Sequence, residues 1–354
     1  MIYTTRPPVR VGIAGLGRAG LEMHYTELAK IPELFKIVAV CDPMKERRDI
    51  VRDVYPECRS YRRYEDLIDD PDIELVDIAT RSDEHCEHAI QALKANKWVH
   101  LERPICADYE QAMVLRAVAL KAGNRLLVRQ NYRYEPAFIK IKEIVDSGVL
   151  GNVYNIIMRR GSYNRLDDWQ AVKRCAGGAV LAMGPAFLDQ ALLLLKTPPV
   201  KMWADLKRVA SVGDAEDYMH ILLRNQGGLT VDVKYSGGRI SNDPLFRVCG
   251  NKGEFTLYEN ESEGLLKYIN PEQELTRRRA SVRTPALGRE ELPEQIDWVE
   301  QLVPVAPEGE SGMELIWVHV FNAIRENINY PITLESAIEV LRILSMIKKE
   351  SSFA

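Results

Sequence analysis

Phosphate chemistry is the clearest signal in this chain, in Gly15-Leu16-Gly17-Arg18-Ala19-Gly20. Three glycines at this spacing follow an apolar β-type run and precede a helix-like stretch, the setting in which G-x-G-x-x-G cradles a pyrophosphate. Gly15 permits the tight turn, Gly17 lets backbone N–H groups approach the phosphates, and Gly20 lets helix and strand pack closely. The anion then rests at the positive end of the helix dipole. A second apolar run, Lys36–Cys41, ends at Asp42. A carboxylate there, about twenty residues past the glycines, can accept from a ribose diol. Arg47 and Arg48 follow and could grip a 2′-phosphate, but Asp42 would repel one. The reading is a dinucleotide site for NAD, with NADP the less favoured alternative.

Metal chemistry is not predicted. His88, His100, His220 and His319 show no ligand spacing. The six cysteines include no C-x-x-C pair, so neither a zinc site nor a disulfide framework is indicated. Cys175 precedes a double glycine, but nothing beside it signals a reactive thiolate. A reducing, cytoplasmic setting is the default for such cysteines. The net charge of −4 argues against a nucleic-acid surface, and Arg277-Arg-Arg279 reads as a solvated loop. No signal peptide is visible at the N-terminus. The longest unbroken apolar run, Ala191–Leu195, is too short for a membrane span.

The elements that position these residues change character part-way along the chain. Up to residue 130, β runs at Val9–Gly15, Lys36–Cys41, Glu74–Ala79, Lys97–Glu102 and Arg125–Arg129 alternate with helical patterns. Such alternation predicts an α/β, Rossmann-type doubly wound parallel sheet covered on both faces. Residues 131–354 predict an α+β domain with a large, mostly antiparallel open sheet. Its strands are read at Val153–Arg160, Met202–Ala210, Tyr218–Arg224, Leu229–Tyr235, Leu245–Val248 and Glu254–Tyr258. Gln226-Gly-Gly228 is a hairpin signal. Glu272 to about Gly312 reads as a long excursion with little regular structure. Helices follow at Gly312–Asn327 and Leu334–Lys349, the latter with Thr333 as N-cap. One free sheet face suits a subunit contact, so a homo-oligomer through this sheet is expected.

Several stretches together resemble the glucose–fructose oxidoreductase / inositol dehydrogenase (Gfo/Idh/MocA) family. They are the glycine turn followed by His24, Ile78-Ala-Thr80-Arg81-Ser-Asp-Glu-His85, Trp98-Val-His-Leu-Glu102-Arg103-Pro104, Gln130-Asn131-Tyr132-Arg133-Tyr-Glu-Pro136, Ser147–Gly151, and Gly177-Gly178 with Gly184 and Asp189. The resemblance implies a sugar or polyol ligand bound between the two domains. It implies that Thr80, Arg81, His85, Glu102, Arg103 and Asn131 join the glycine turn around the cofactor. It places Arg103, Arg133, Tyr163, Trp169, Arg174, Ala182, Ala186 and Asp189 around the substrate.

The departures from the family are chemical. Its Lys between Glu and Pro is Arg103 here, and the Asp and His of its active-site helix are Ala182 and Ala186. Lys can relay a proton, whereas Arg stays protonated and only donates hydrogen bonds. Alanine does neither. Arg103, Tyr132 and Tyr163 are the catalytic candidates that remain, and Asp168, Lys173 and Asp189 are further acid–base groups in the same stretches. Three readings stay open: an oxidoreductase with an atypical site, a non-catalytic cofactor-binding subunit or sensor, and elimination or hydration through a keto-sugar with NAD retained.

Overall fold

Strand β1 (Val9–Ala14) is buried at every position except Arg10, as a strand covered on both faces must be. Around it lie β2 (Phe35–Cys41), β3 (Arg59–Tyr61), β4 (Leu75–Ile78), β5 (Trp98–Leu101) and β6 (Leu126–Val128). They pair in parallel in the order β3-β2-β1-β4-β5-β6. The order reverses between β1 and β4, and ligands of such sheets bind at that switch point. The computed structural model behind this description covers residues 5–275, 282, 294–305 and 312–353. Arg277-Arg-Arg279 lies outside them.

An open, π-type helix over Arg18–Tyr25 leaves β1 and continues as α1 (Thr26–Ala29). Then come α2 (Lys45–Val54), α3 (Tyr64–Ile68), α4 (His85–Lys94) and α5 (Tyr109–Lys121). The sequence reading missed β3 and α3, which at 3 and 5 residues are too short to show a period.

The second sheet has eight strands: β7 (Val153–Arg160), β8 (Lys201–Lys207), β9 (Tyr218–Arg224), β10 (Thr230–Ser236), β11 (Pro244–Gly250), β12 (Gly253–Tyr258), β13 (Glu263–Ile269) and β14 (Trp298–Pro304). Their order is β14-β13-β12-β11-β7-β10-β9-β8, antiparallel except for β7 with β10. The expectation of little regular structure from Glu272 to Gly312 is corrected by β14, which pairs along β13. As an exposed edge strand with Glu300 and Gln301 in its middle, β14 lacks the apolar alternation that a half-buried strand shows. The hairpin signal stands where it was read, joining the antiparallel pair β9 and β10.

One face of this sheet packs on α6 (Pro136–Ser147), α8 (Gly184–Leu195) and α10 (Leu334–Lys349). On the other face the register lines up Trp203, Leu222, Asp232, Ile157, Arg247, Thr256, Leu265 and Leu302 across all eight strands. Trp203, Leu265 and Leu302 in this row are exposed.

Two helices from the end of the chain join the halves. α9 (Leu315–Arg325) buries Ile316, Trp317, Val320 and Phe321 in the core of the first sheet. α10 gives Ile338 and Leu341 to that core, and Val340, Ile343, Leu344 and Ile347 to the second. Thr333 caps α10, its side chain accepting from Ser336 N–H. Among the described residues one helical stretch, Lys173–Leu195, is long and apolar enough to cross a membrane. Its most apolar window is 78 % buried inside the protein, so its apolarity serves a core.

Candidate active site

The glycine turn separates three glycines with different reasons to exist. Gly15 has φ +89°, and a Cβ there would lie 2.5 Å from the Ala79 carbonyl. A Cβ on Gly20 would lie 1.8 Å from the Gly15 carbonyl. Both are fixed by packing. Gly17 is not: a Cβ there would meet only Arg47 Nη1, at 4.0 Å. The protein itself does not need that space, and a phosphate approaching the backbone would. The helix that starts at Arg18 has no side-chain cap and no acidic residue in its first turn. Its free N–H groups and positive dipole end are therefore uncompensated. These residues fit a dinucleotide's pyrophosphate.

Asp42 is only 4 % exposed. Its Oδ2 accepts from Leu16 N–H at 2.9 Å and its Oδ1 from Met44 N–H at 2.8 Å. It therefore fastens the glycine turn to the end of β2 and keeps spare lone pairs for a ribose. Thr80, Arg81 and His85 follow β4. His85 is buried between the Pro104 carbonyl (2.7 Å) and the Thr80 carbonyl (3.1 Å). Arg81 crosses to the second half of the molecule, where it donates to Cys175 Sγ at 2.9 Å and lies 5.9 Å over the Trp169 ring.

Beneath the turn runs a buried polar network. His24 Nδ1 is 2.8 Å from Asp77, and His24 Nε2 is 3.0 Å from Glu102. Asp77 also holds His100 at 2.7 Å. Arg129 stands 3.1 Å from Glu102 and donates to both Glu27 oxygens at 2.9 and 2.8 Å. Trp317 Nε1–H on α9 completes Glu27 at 2.6 Å. Burial alone would push the His24 imidazole down, but Asp77 and the hydrogen bonds to both carboxylates raise it to about 9. Burial likewise works against the Glu102 carboxylate, yet His24, Arg103 and Arg129 hold it at about 2. His24 is thus a cation between two carboxylates.

His24, Asp77 and His100 are also the one group among the described residues whose ligand atoms lie close enough to hold a metal, within 4.8 Å of one another. The spacing of histidines in the sequence did not reveal it. The hydrogen bonds just described already engage His24 Nδ1, both Asp77 oxygens and His100 Nδ1.

Glu102 ends this network, and Arg103 follows it toward the second half of the molecule. Arg103 Nη1 donates to the Ala182 carbonyl at 2.5 Å, and its guanidinium lies 5.0 Å over the Tyr132 ring. Ala182 closes the short α7 (Ala179–Ala182) just before α8. Arg160 covers the other guanidinium position on Tyr132, 5.5 Å from its ring and 5.7 Å from Phe187, with Glu135 as its ion partner. Tyr235 on β10 faces the same Phe187 ring at 6.4 Å and feels the charge of Arg18 from the glycine turn. Burial raises its phenol above the ordinary tyrosine value. Tyr132, Arg103, Arg160, Phe187 and Tyr235 thus line the junction of the two halves.

The other expected substrate residues have varied surroundings. Arg133 and Asp189 form a two-pronged ion pair with each other, at 2.6 and 2.7 Å. Ala186 is fully buried in the second core rather than open to the cleft. Tyr163 is 61 % exposed. Arg174 is exposed and Trp169 half-buried. Asn131 is buried at the start of the segment that enters the second half. Sequence reasoning missed Asp77, His100, Arg129, Arg160 and Tyr235. The first three had a signal: each interrupts or directly follows an apolar β run. Arg160 and Tyr235 had none beyond the alternation of their strands.

The description "Oxidoreductase family, NAD-binding Rossmann fold" matches residues 9–130, and the Gfo/Idh/MocA C-terminal domain matches residues 138–256. The chain belongs to the Gfo/Idh/MocA oxidoreductase family. An oxidoreductase of Schizosaccharomyces pombe is 30 % identical over 71 % of each chain. The scyllo-inositol 2-dehydrogenase (NADP(+)) IolW of Bacillus subtilis is 26 % identical over 97 % of this chain and 94 % of its own. Among solved structures, the oxidoreductase YvaA of Bacillus subtilis superposes with TM-score 0.81 at 22 % identity, covering 97 % of this chain and 96 % of that one. GenD2 from gentamicin A biosynthesis, in complex with NAD, gives TM-score 0.78 at 19 % identity, covering 98 % and 95 %. As a Gfo/Idh/MocA protein the chain carries the family's NAD-binding fold.

Proposed function

We propose that this Gfo/Idh/MocA protein holds NAD at the glycine turn and acts on a sugar, polyol or derivative through an atypical site. One observation carries the cofactor half: Gly17 faces space that only Arg47 Nη1 approaches, at 4.0 Å, beside an uncapped helix N-terminus. Bound there, the dinucleotide supplies a hydride acceptor or donor. Arg103 then orients a hydroxyl or carbonyl by donation, beside Tyr132 and Tyr235. Burial raises the Tyr235 phenol above its ordinary value, so it donates a proton better than it accepts one, which suits carbonyl reduction better than alcohol oxidation at neutral pH. NAD is preferred to NADP because Asp42 stands at the end of β2.

A second reading, a cofactor-holding subunit or sensor, draws on one feature. Arg103 is tied to the backbone of Ala182, and neither Ala182 nor Ala186 offers a titrating group. NADH titration followed by a panel of polyols and keto-sugars separates the two. Binding with turnover supports the first reading, and binding without turnover the second. The exposed row Trp203, Leu265 and Leu302 supports a homo-oligomer built on the second sheet. The setting is proposed to be cytoplasmic, in keeping with six cysteines that are all free thiols.

A further inference from the structure

Three arginines near the junction of the two halves spend their charge inside the protein. Arg129 grips Glu27, Arg133 grips Asp189, and Arg160 pairs with Glu135. Arg103 is placed otherwise. Its ion neighbour is Glu102, 3.6 Å from its Nε. That carboxylate already gives its Oε2 to His24 and Arg129. Arg103 Nε is buried without a hydrogen-bond partner. Among the described residues nothing accepts from its Nη2 either.

The guanidinium is nevertheless held still. Its Nη1 donates to the Ala182 carbonyl at 2.5 Å, and its plane lies 5.0 Å over the Tyr132 ring. These contacts leave one edge of the fork, Nε with Nη2, unspent. The protein itself shows what such an edge holds. Arg133 uses Nε and Nη2 to grip both oxygens of the Asp189 carboxylate, at 2.7 and 2.6 Å. A planar fork and a planar carboxylate match in two parallel hydrogen bonds, which a lysine ammonium cannot reproduce. A phosphate dianion fits this place less well, because the second arginine on Tyr132, Arg160, is already taken by Glu135.

We propose that the free edge of Arg103 holds a carboxylate of the substrate, so that the site takes a polyhydroxy acid or its keto form in preference to a neutral polyol. The inference rests on the reading that a sugar, polyol or derivative binds at this junction. The arginine then sets substrate class, and Ala182 serves it by fixing the guanidinium through a carbonyl.

Matched pairs that differ only by a carboxylate in place of a CH₂OH group test this. Gluconate, galactonate, glucuronate and 2-ketogluconate are titrated beside glucitol, galactitol, glucose and fructose. Glucose 6-phosphate and fructose 6-phosphate are run alongside. Binding to the full-length protein is read by the change in bound NADH fluorescence, and by thermal shift without cofactor. The best-bound carboxylate should bind about tenfold or more tighter than its neutral counterpart, the scale of a charge-assisted pair. Arg103→Lys keeps the charge and loses the fork, and should cut that ratio to less than about threefold. Arg103→Gln serves in its place if the lysine variant does not fold, and the wild-type ratio decides by itself if neither folds. Neutral compounds bound as tightly as the acids overturn the proposal, as do phosphate esters bound tightest or a panel in which no carboxylate binds. A folded Arg103→Lys protein with the full wild-type ratio overturns it too. If NADH does not bind, the cofactor reading fails, and the cofactor-free thermal shifts still decide the carboxylate.

Discussion

The two sides of Glu102 are built on opposite terms. On the cofactor side His24, Asp77, Glu102, Arg129, Glu27 and Trp317 engage one another at hydrogen-bond distance. On the substrate side Ala182 offers only a carbonyl, Ala186 is core, and Asp189 is consumed by Arg133. A buried network tolerates no loss, because removing one ion strands its partners. Positions 182 and 186 carry no titrating side chain, so changing them strands no charged partner and can add function. That contrast orders the effects expected from substitution.

The largest effect belongs to His24. His24→Ala leaves Asp77 and Glu102 facing each other without the cation between them, and should cost about 3–5 kcal/mol in denaturant unfolding. The cost should depend on pH. The folded-state value of about 9 lies above the ordinary 6.5. The stabilisation from His24 is therefore full below about 6.5 and lost as pH rises through about 9. The gap between wild type and variant should narrow over that window. A gap constant from pH 6 to 9.5 would mean that His24 is neutral when folded.

Next comes the glycine turn. Gly17→Leu should fold, because its surroundings are empty, but should lose NADH binding by about 100-fold or more, roughly 2.7 kcal/mol. Gly20→Val should fail to fold, its Cβ lying against the Gly15 carbonyl. Gly17→Leu with unchanged NADH affinity would remove the reason given for that glycine.

A gain of function comes third. Arg103→Lys with Ala182→Asp should speed oxidation of at least one polyol, measured as NAD reduction. General-base help is worth about 10²–10⁴ when well placed, so a tenfold gain is a modest expectation. Adding Ala186→His should destabilise the protein by about 1–3 kcal/mol, the usual cost of overpacking. The three positions act as a unit, so single changes should do little.

The smallest effect lies on the outer sheet face. Trp203→Glu with Leu302→Glu should leave NADH binding untouched and reduce the mass seen in sedimentation. An unaltered mass from an oligomeric wild type would place the contact elsewhere.

Much of this molecule was legible before its structure. The parallel strands other than β3 announced themselves by near-continuous apolarity, and the glycine spacing by its context. The edge strand β14 did not, because its residues face water and resemble a loop. The network was half visible. Asp77 and His100 are themselves fully buried inside β4 and β5, where an ionisable residue must have a partner. Which partner no spacing could say, because His24, Glu27 and Trp317 arrive from elsewhere in the chain. The burial of Ala186 in the second core was hidden for a related reason. Alanine carries no sign of whether it lines a cleft or fills a core.

The central claim is that the cofactor side is whole and the proton-transfer side altered. Steady-state NAD reduction by the purified protein, over a polyol panel that includes scyllo-inositol, tests it most directly when paired with an NADH titration. The account predicts saturable NADH binding together with turnover well below about 1 s⁻¹, the low end of ordinary enzymes. Turnover at or above about 1 s⁻¹ on any of these alcohols would contradict it, showing that another group, Tyr132 or Tyr235 first, serves as an efficient base.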